Sequence, residues 1–286
     1  MNNLTPEKIL EIQAKYNLTY HVNFAMHADA MVGLKGQRVL EVGGSLPREF
    51  VFDVINAAEW TAVEQREYWD EVLKTGNVTG TPPTIGNAME ISKVGEHYRN
   101  IDRYRLLFGS IETLPDSLAS SFDRIFSIAA FEHLARLPEA LEQMYKALVP
   151  GGKLFSLFAP IWSSQHGHHL PDITDLSGVV WGSNSLPEWS HLLMHPMEMY
   201  DWLKTKCDAK TAREITYYVY TSSHINRFFL EDYMEIVRRS PFTIKIAAAQ
   251  WQAPVPAETL AKLKHQHPHY TDFSSLGVIF VLEKPL

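Results

Sequence analysis

Three groups of residues in this chain have types and spacings that could do chemistry. Glu41 closes an apolar run, Val39-Leu40-Glu41-Val42, and is followed by Gly43-Gly44-Ser45-Leu46-Pro47. About twenty residues on, a second apolar run ends in an acid, Trp60-Thr61-Ala62-Val63-Glu64. A buried strand, a glycine turn, a helix and a second strand ending in a carboxylate form the layout that holds nucleotide-like ligands. The glycines let backbone approach the ligand, and the second carboxylate accepts ribose hydroxyls. An acid inside a buried apolar strand also needs a reason of its own, because an unpaired buried carboxylate is costly.

The other two groups are histidines. Phe131-Glu132-His133-Leu134 directly follows a strand-like run, Ile125 to Ala130. His166-Gly167-His168-His169 sits in a long aromatic stretch. Imidazole titrates near neutral pH, so His133, His166 and His168 are candidate general bases. Their spacing matches no closed zinc site, and no resident metal is expected.

Regular elements must position these groups. Thr5 and Pro6 suit a helix start, and residues 4–34 read as two helices broken near Tyr16-Asn17-Leu18-Thr19-Tyr20, the second ending at Gly33 or Gly36. They are expected to pack over the open edge of the ligand site. Strands are expected at Val39–Gly43, Thr61–Glu64, Tyr104–Gly109, Ile125–Ala130 and Leu154–Ala159. Helices are expected at Pro47–Ala58, Tyr68–Leu73, Ala88–Tyr98 and Pro138–Leu148, with a loop at Gly76–Gly86 and a sharp turn at Val149-Pro150-Gly151-Gly152-Lys153. Residues 160–224 interrupt this alternation with four Trp and several His, as an inserted lid would. A helix from Phe228, a strand from Phe242, a helix from Ala257 and a last strand from Ser274 close the chain. The reading is an α/β fold: one doubly wound, mostly parallel seven-stranded sheet in a single domain. It divides into a helical cap (1–35), a core (36–159), a lid (160–224) and closing strands (225–286).

Composition narrows the function. Hydrophobic residues make up 45% of 286, enough for a packed core. A net charge of −7 without a Lys/Arg cluster argues against a nucleic-acid backbone as partner. No window approaches the length of a membrane span, and the N-terminal residues lack a signal-peptide pattern. Cys207 is the sole cysteine, so no intrachain disulfide forms, and a cytoplasmic protein is expected. Seven Trp, twelve Tyr and thirteen His suit a pocket for a small organic substrate.

The run Ser-Phe-Asp-Arg-Ile-Phe-Ser from Ser121, then Phe131-Glu132-His133-Leu134, then Ala-Leu-Val-Pro-Gly-Gly-Lys-Leu ending at Leu154, resembles the class I S-adenosylmethionine-dependent methyltransferases, most of all their small-molecule enzymes. The resemblance spans about Arg38 to Ala159 and implies S-adenosyl-L-methionine as cofactor. It implies cofactor contacts from Glu41, Gly43, Gly44 and Ser45, from Glu64 and Gln65, from Ser110, Ile111 and Glu112, and from Ala129. Glu41 would lie near the methionine portion and attract its ammonium group, Glu64 would take the ribose hydroxyls, and residues 110–112 would meet adenine. The family's second and third turn glycines are Ser45 and Pro47 here. The activity implied is methyl transfer to a small-molecule acceptor, with oxygen favoured because histidines are at hand to take a proton. Two other readings stand beside it: a non-catalytic cofactor-binding partner or sensor, and a nicotinamide-dependent oxidoreductase on a related sheet.

Overall fold

A computed structural model describes residues 4–44, 46–65 and 99–286. The strands are β1 (Arg38–Val42), β2 (Glu59–Glu64), β3 (Tyr104–Phe108), β4 (Phe122–Ile128), β5 (Leu148–Phe158), β6 (Ile173–Thr174), β7 (Val180–Trp181), β8 (Thr243–Gln252) and β9 (Ser275–Glu283). Seven of them form one sheet in the order β3-β2-β1-β4-β5-β9-β8, while β6 and β7 pair separately. β9 runs antiparallel to both β5 and β8, and the remaining pairs are parallel. The expected sheet is therefore present. The helices expected at 68–73 and 88–98, and the loop at 76–86, lie outside the described residues.

Side-chain alternation along the strands builds two apolar layers. Val39 of β1 and Phe155 and Leu157 of β5 face a layer shared with the helices Pro6–Tyr16 and His21–Val32 and with Phe50, Val51 and Ile55. Leu40 and Val42, with Leu154 and Phe158, face the opposite layer, beneath the helices Leu137–Ala147 and Leu230–Arg239. Helix Leu137–Ala147 buries Leu137, Ala140, Leu141, Met144 and Ala147, a stripe at three- and four-residue spacing. Phe131, Phe158, Phe280 and Tyr233 interlock there with ring centroids 5.0–6.4 Å apart. Arg38 holds the amino ends of β1 and β4 in register, donating to both carboxylate oxygens of Asp123 at 3.0 and 2.8 Å.

Thr5 caps the first helix by accepting from the Lys8 N–H at 3.3 Å, and Gly33 ends the second at φ 68°. These two helices lie on a face of the sheet. The second runs from Phe24, stacked 5.8 Å from Trp251, back to Val32, whose carbonyl accepts from Arg124 Nε at 2.6 Å. Its start reaches the carboxyl edge of the strands, while most of its length is sheet packing.

Two boundaries differ from expectation. β4 begins at Phe122 and ends at Ile128, because Ala129 turns to φ 47°. The expected turn at 149–153 is part of one strand, Leu148–Phe158. Gly151, at φ 74°, donates to the Lys284 carbonyl at 2.9 Å, and Gly152 accepts from the Lys284 N–H at 2.9 Å. The β4 register slips between Phe122 and Arg124, so the glycines form a bulge that β9 keeps paired.

Residues 160–224 carry the ribbon β6–β7 and helices Ser190–Leu193, Pro196–Lys204 and Ala209–Tyr220. They pack around their own apolar cluster, with Trp162, Trp181 and Trp189 buried beside Leu203, Ile215 and Phe273.

Candidate active site

The turn after β1 is built by close contact. Gly43 sits at φ 80°, and a Cβ there would lie 2.6 Å from the Ala130 Cβ. A Cβ on Gly44 would lie 2.7 Å from the Ala62 Cβ. The two glycines thus let the turn settle between the ends of β4 and β2. Glu41 is fully buried below it, accepting from Trp60 Nε1 at 2.7 Å and from the Leu46 N–H at 3.2 Å. Tyr104 Oη donates to the Leu46 carbonyl at 3.0 Å. The carboxylate thus braces Trp60 and the turn's own backbone, a role that stands beside the expected attraction to the cofactor's ammonium. Ser45 lies outside the described residues. Pro47 begins the next helix, where a missing N–H is of no consequence, and its carbonyl accepts from the Val51 N–H at 3.1 Å.

Glu64 ends β2 half-buried, and one oxygen accepts from the Gln65 N–H at 2.6 Å. Burial raises its carboxyl to about 7, with that one peptide donor opposing the shift. A carboxylate with a single donor among the described residues, at the carboxyl end of a strand, fits two ribose hydroxyls. Gln65 beside it is exposed. Ser110 caps the short turn Ile111–Thr113, accepting from the Glu112 N–H at 3.2 Å, and Ile111 is buried in the apolar layer. Glu112 is paired within the fold: its oxygens accept from the backbone N–H of Arg136 at 2.8 Å and from Arg136 Nε at 2.9 Å. That pair ties residues 110–113 to the start of helix Leu137–Ala147.

Past β4 the backbone doubles back through Ala129 into the turn Phe131–His133. His133 Nδ1 lies 2.6 Å from the His224 carbonyl and therefore carries the proton, leaving Nε2 as a bare acceptor. The ring is open to solvent on one side, yet burial of the rest lowers its pKa, with the hydrogen bond to the His224 carbonyl opposing the shift. His169 stands edge-on at 5.1 Å and donates from Nε2 to the Pro160 carbonyl at 2.9 Å. Asn226 latches the segment, with its N–H to the Glu132 carbonyl at 2.8 Å and its Nδ2 to the Phe131 carbonyl at 2.7 Å.

The other proposed bases separate from His133. His168 is fully buried, and its Nδ1 accepts from the Leu170 N–H at 3.1 Å. Its ring packs against His191 at 5.3 Å and His166 at 6.2 Å. Burial lowers His168 to about 2 and His191 to about 4. Such a ring is a structural element of its cluster and has no path to an acceptor's proton, so His168 is withdrawn as a base. His166 is half-buried, with Nδ1 unpartnered among the described residues, and belongs to the same cluster. The cluster has a pH consequence. Above the ordinary histidine pKa both folded and unfolded chains are neutral there. Below it the unfolded chain takes protons that His168 and His191 refuse, so stability falls as pH drops. Between about pH 6.5 and pH 5 each should cost about 2 kcal/mol. Urea midpoints across this range test it: His168→Asn, which keeps an acceptor for Leu170, should flatten the slope by about one proton.

Sequence reasoning marks His169 only as a member of the run from His166 and passes over His224 and Asn226. Only the fold brings the ends of β4 and β5 together with the loop at 221–229. A cavity of about 430 Å³ lined by Gln252, Pro254 and Phe273 involves none of these groups. Among the described residues no set of His, Cys, Asp or Glu is arranged to hold a metal ion.

Residues 67–156 match the family model described as a methyltransferase domain. Among curated proteins no sequence matches the chain. Solved structures similar to it include an S-adenosylmethionine-dependent methyltransferase from Mesorhizobium loti, 11% identical, covering 94% of this chain and 99% of that one at a TM-score of 0.49. Another is the geranyl diphosphate C-methyltransferase of Streptomyces coelicolor, solved with Mg2+, geranyl diphosphate and S-adenosyl-L-homocysteine. It is 10% identical, covering 99% and 86% of the two chains at a TM-score of 0.48. The sheet order and the matched segment agree: the chain carries a methyltransferase domain on a seven-stranded, mostly parallel Rossmann-like sheet.

Proposed function

We propose that this chain methylates a hydroxyl group of a small molecule, with His133 as general base. The observation that carries the reading is the fixed tautomer of His133: Nδ1–H is held by the His224 carbonyl, which presents the Nε2 lone pair just past β4. Bound S-adenosylmethionine supplies an electrophilic methyl carbon on a sulfonium. With the methyl carbon passing from sulfur to the acceptor oxygen, His133 Nε2 would take the proton that the hydroxyl gives up. A lowered pKa keeps the ring neutral and able to receive it at neutral pH. Glu64 and the Gly43-Gly44 turn hold the cofactor, and residues 160–224 act as the lid that excludes water. The net charge of −7 favours a neutral or cationic acceptor over nucleic acid. Among the described residues no helix is long and apolar enough to cross a membrane. With Cys207 as the sole cysteine, we place the activity in the cytoplasm as part of the same reading.

Transfer of radiolabelled methyl from the cofactor into a fractionated small-molecule extract tests it. His133→Gln should lower kcat about a hundredfold while affinity for S-adenosylhomocysteine stays unchanged. An unaltered kcat would remove His133 as base, and cofactor binding with no acceptor in any fraction would favour the non-catalytic binder.

A further inference from the structure

Glu132 is the group in this site that the methyl-transfer reading leaves without a task. It is 1% exposed, and neither carboxylate oxygen has a hydrogen-bond partner among the described residues. The peptide N–H groups of Glu132 and Ala159 lie near it without closing a hydrogen bond, and no Lys, Arg or His among the described residues forms an ion pair with it. Its surroundings are aromatic: Phe131 before it, with Phe158 and Tyr233 in the same layer. Tyr233 Oη is already committed, donating to Asn226 Oδ1 at 2.6 Å. A buried carboxylate without donors is among the costlier features a fold can keep, and groups of this kind cluster at functional sites.

The position says which charge. Glu132 lies two residues past Ala130, whose Cβ packs on the Gly43 turn, and directly before His133. The reaction proposed above involves one formal positive charge. It begins on the cofactor's sulfur and ends, as the acceptor's proton, on His133. His133 is its neighbour in the chain, and the Gly43 turn assigned to the cofactor packs on Ala130 two residues before it.

Resting on that reading, we propose that Glu132 supplies the negative charge that makes the site prefer the sulfonium form of the cofactor over its neutral demethylated product. The preference vanishes once the methyl has left, so the product is released more readily than the substrate form. Burial alone raises the empty site's carboxyl to about 8, so a bound cation must draw it into the ionised form. The preference therefore grows as pH rises toward that value and shrinks below it.

Calorimetric titration with S-adenosylmethionine and S-adenosylhomocysteine reads this without any acceptor. The wild type should prefer the sulfonium by about tenfold near pH 8.5, and by less near pH 6.5. Glu132→Gln should bind S-adenosylhomocysteine within about twofold of wild type and lose the preference. A Gln variant that keeps the preference overturns the inference, and so does one that loses both ligands equally, since that marks a purely structural role. Should Glu132→Gln not fold, the wild type decides alone: a preference that is flat between the two pH values overturns the inference. If neither ligand binds the wild type, the methyl-transfer reading fails and the inference with it, a result distinct from all the others.

Discussion

Gly43→Ala is expected to destabilise the protein by about 3 kcal/mol and to weaken S-adenosylhomocysteine binding more than tenfold. Two costs combine. Gly43 sits at φ 80°, where an L side chain pays about 1 kcal/mol or more. Its new Cβ would also lie 2.6 Å from the Ala130 Cβ, a contact that backbone must move to relieve. The movement would push the turn off the end of β4 and disturb the bond that Gly43 N–H donates to the Val63 carbonyl of β2 at 3.1 Å. Gly33→Ala separates the two costs. Gly33 has φ 68° with nothing within 4 Å of its would-be Cβ, so it should lose only the strain, about 1 kcal/mol, and bind the cofactor product normally. Urea melts and calorimetry on the pair check this. Equal losses in both variants would mean that the Ala130 contact carries no weight.

That contact marks the boundary of what the sequence discloses. Glycine at 43 is readable as a need for close approach, but the partner is Ala130, roughly ninety residues on, and no local pattern announces it. The sheet was readable because strand periodicity and turn residues are local. Apolar runs at 39–42, 60–63 and 125–128 each reached their place. The bulge at Gly151-Gly152 was misread as a turn because glycines mark both features, and only the β9 neighbour tells them apart. Among the histidines, spacing draws attention to 166 and 168, yet the fold turns His168 inward against His166 and His191 and leaves His169, at φ 48°, facing His133. Orientation within a run of four residues is set by tertiary packing, which sequence spacing does not encode. Glu112 was read as an adenine ligand because of where it follows β3, but Arg136 arrives from the next crossover to claim it.

Glu41 gives the second large effect and decides between two roles for the first acid of the motif. As a direct ligand of the cofactor's ammonium, its loss would weaken binding and leave stability nearly untouched. As a brace, its loss should do both, in proportion. Glu41→Ala leaves the Trp60 indole N–H and the Leu46 peptide N–H without acceptors in a fully buried setting. The expected cost is about 3–5 kcal/mol, since each donor loses a charge-assisted partner and a cavity is added. Trp60→Phe removes one of the donors while keeping an aromatic ring beside Phe126, now 5.7 Å away. If the brace is real, the two substitutions share one hydrogen bond, and the double variant should be more stable than the sum predicts by about 1–2 kcal/mol. Additive losses, or a Glu41→Ala protein of wild-type stability that no longer binds S-adenosylhomocysteine, would return Glu41 to the ligand role. A coupled loss would make the turn's geometry, held from beneath by Glu41 and from the side by Ala130, the means by which this chain holds its cofactor with Ser45 and Pro47 in the turn.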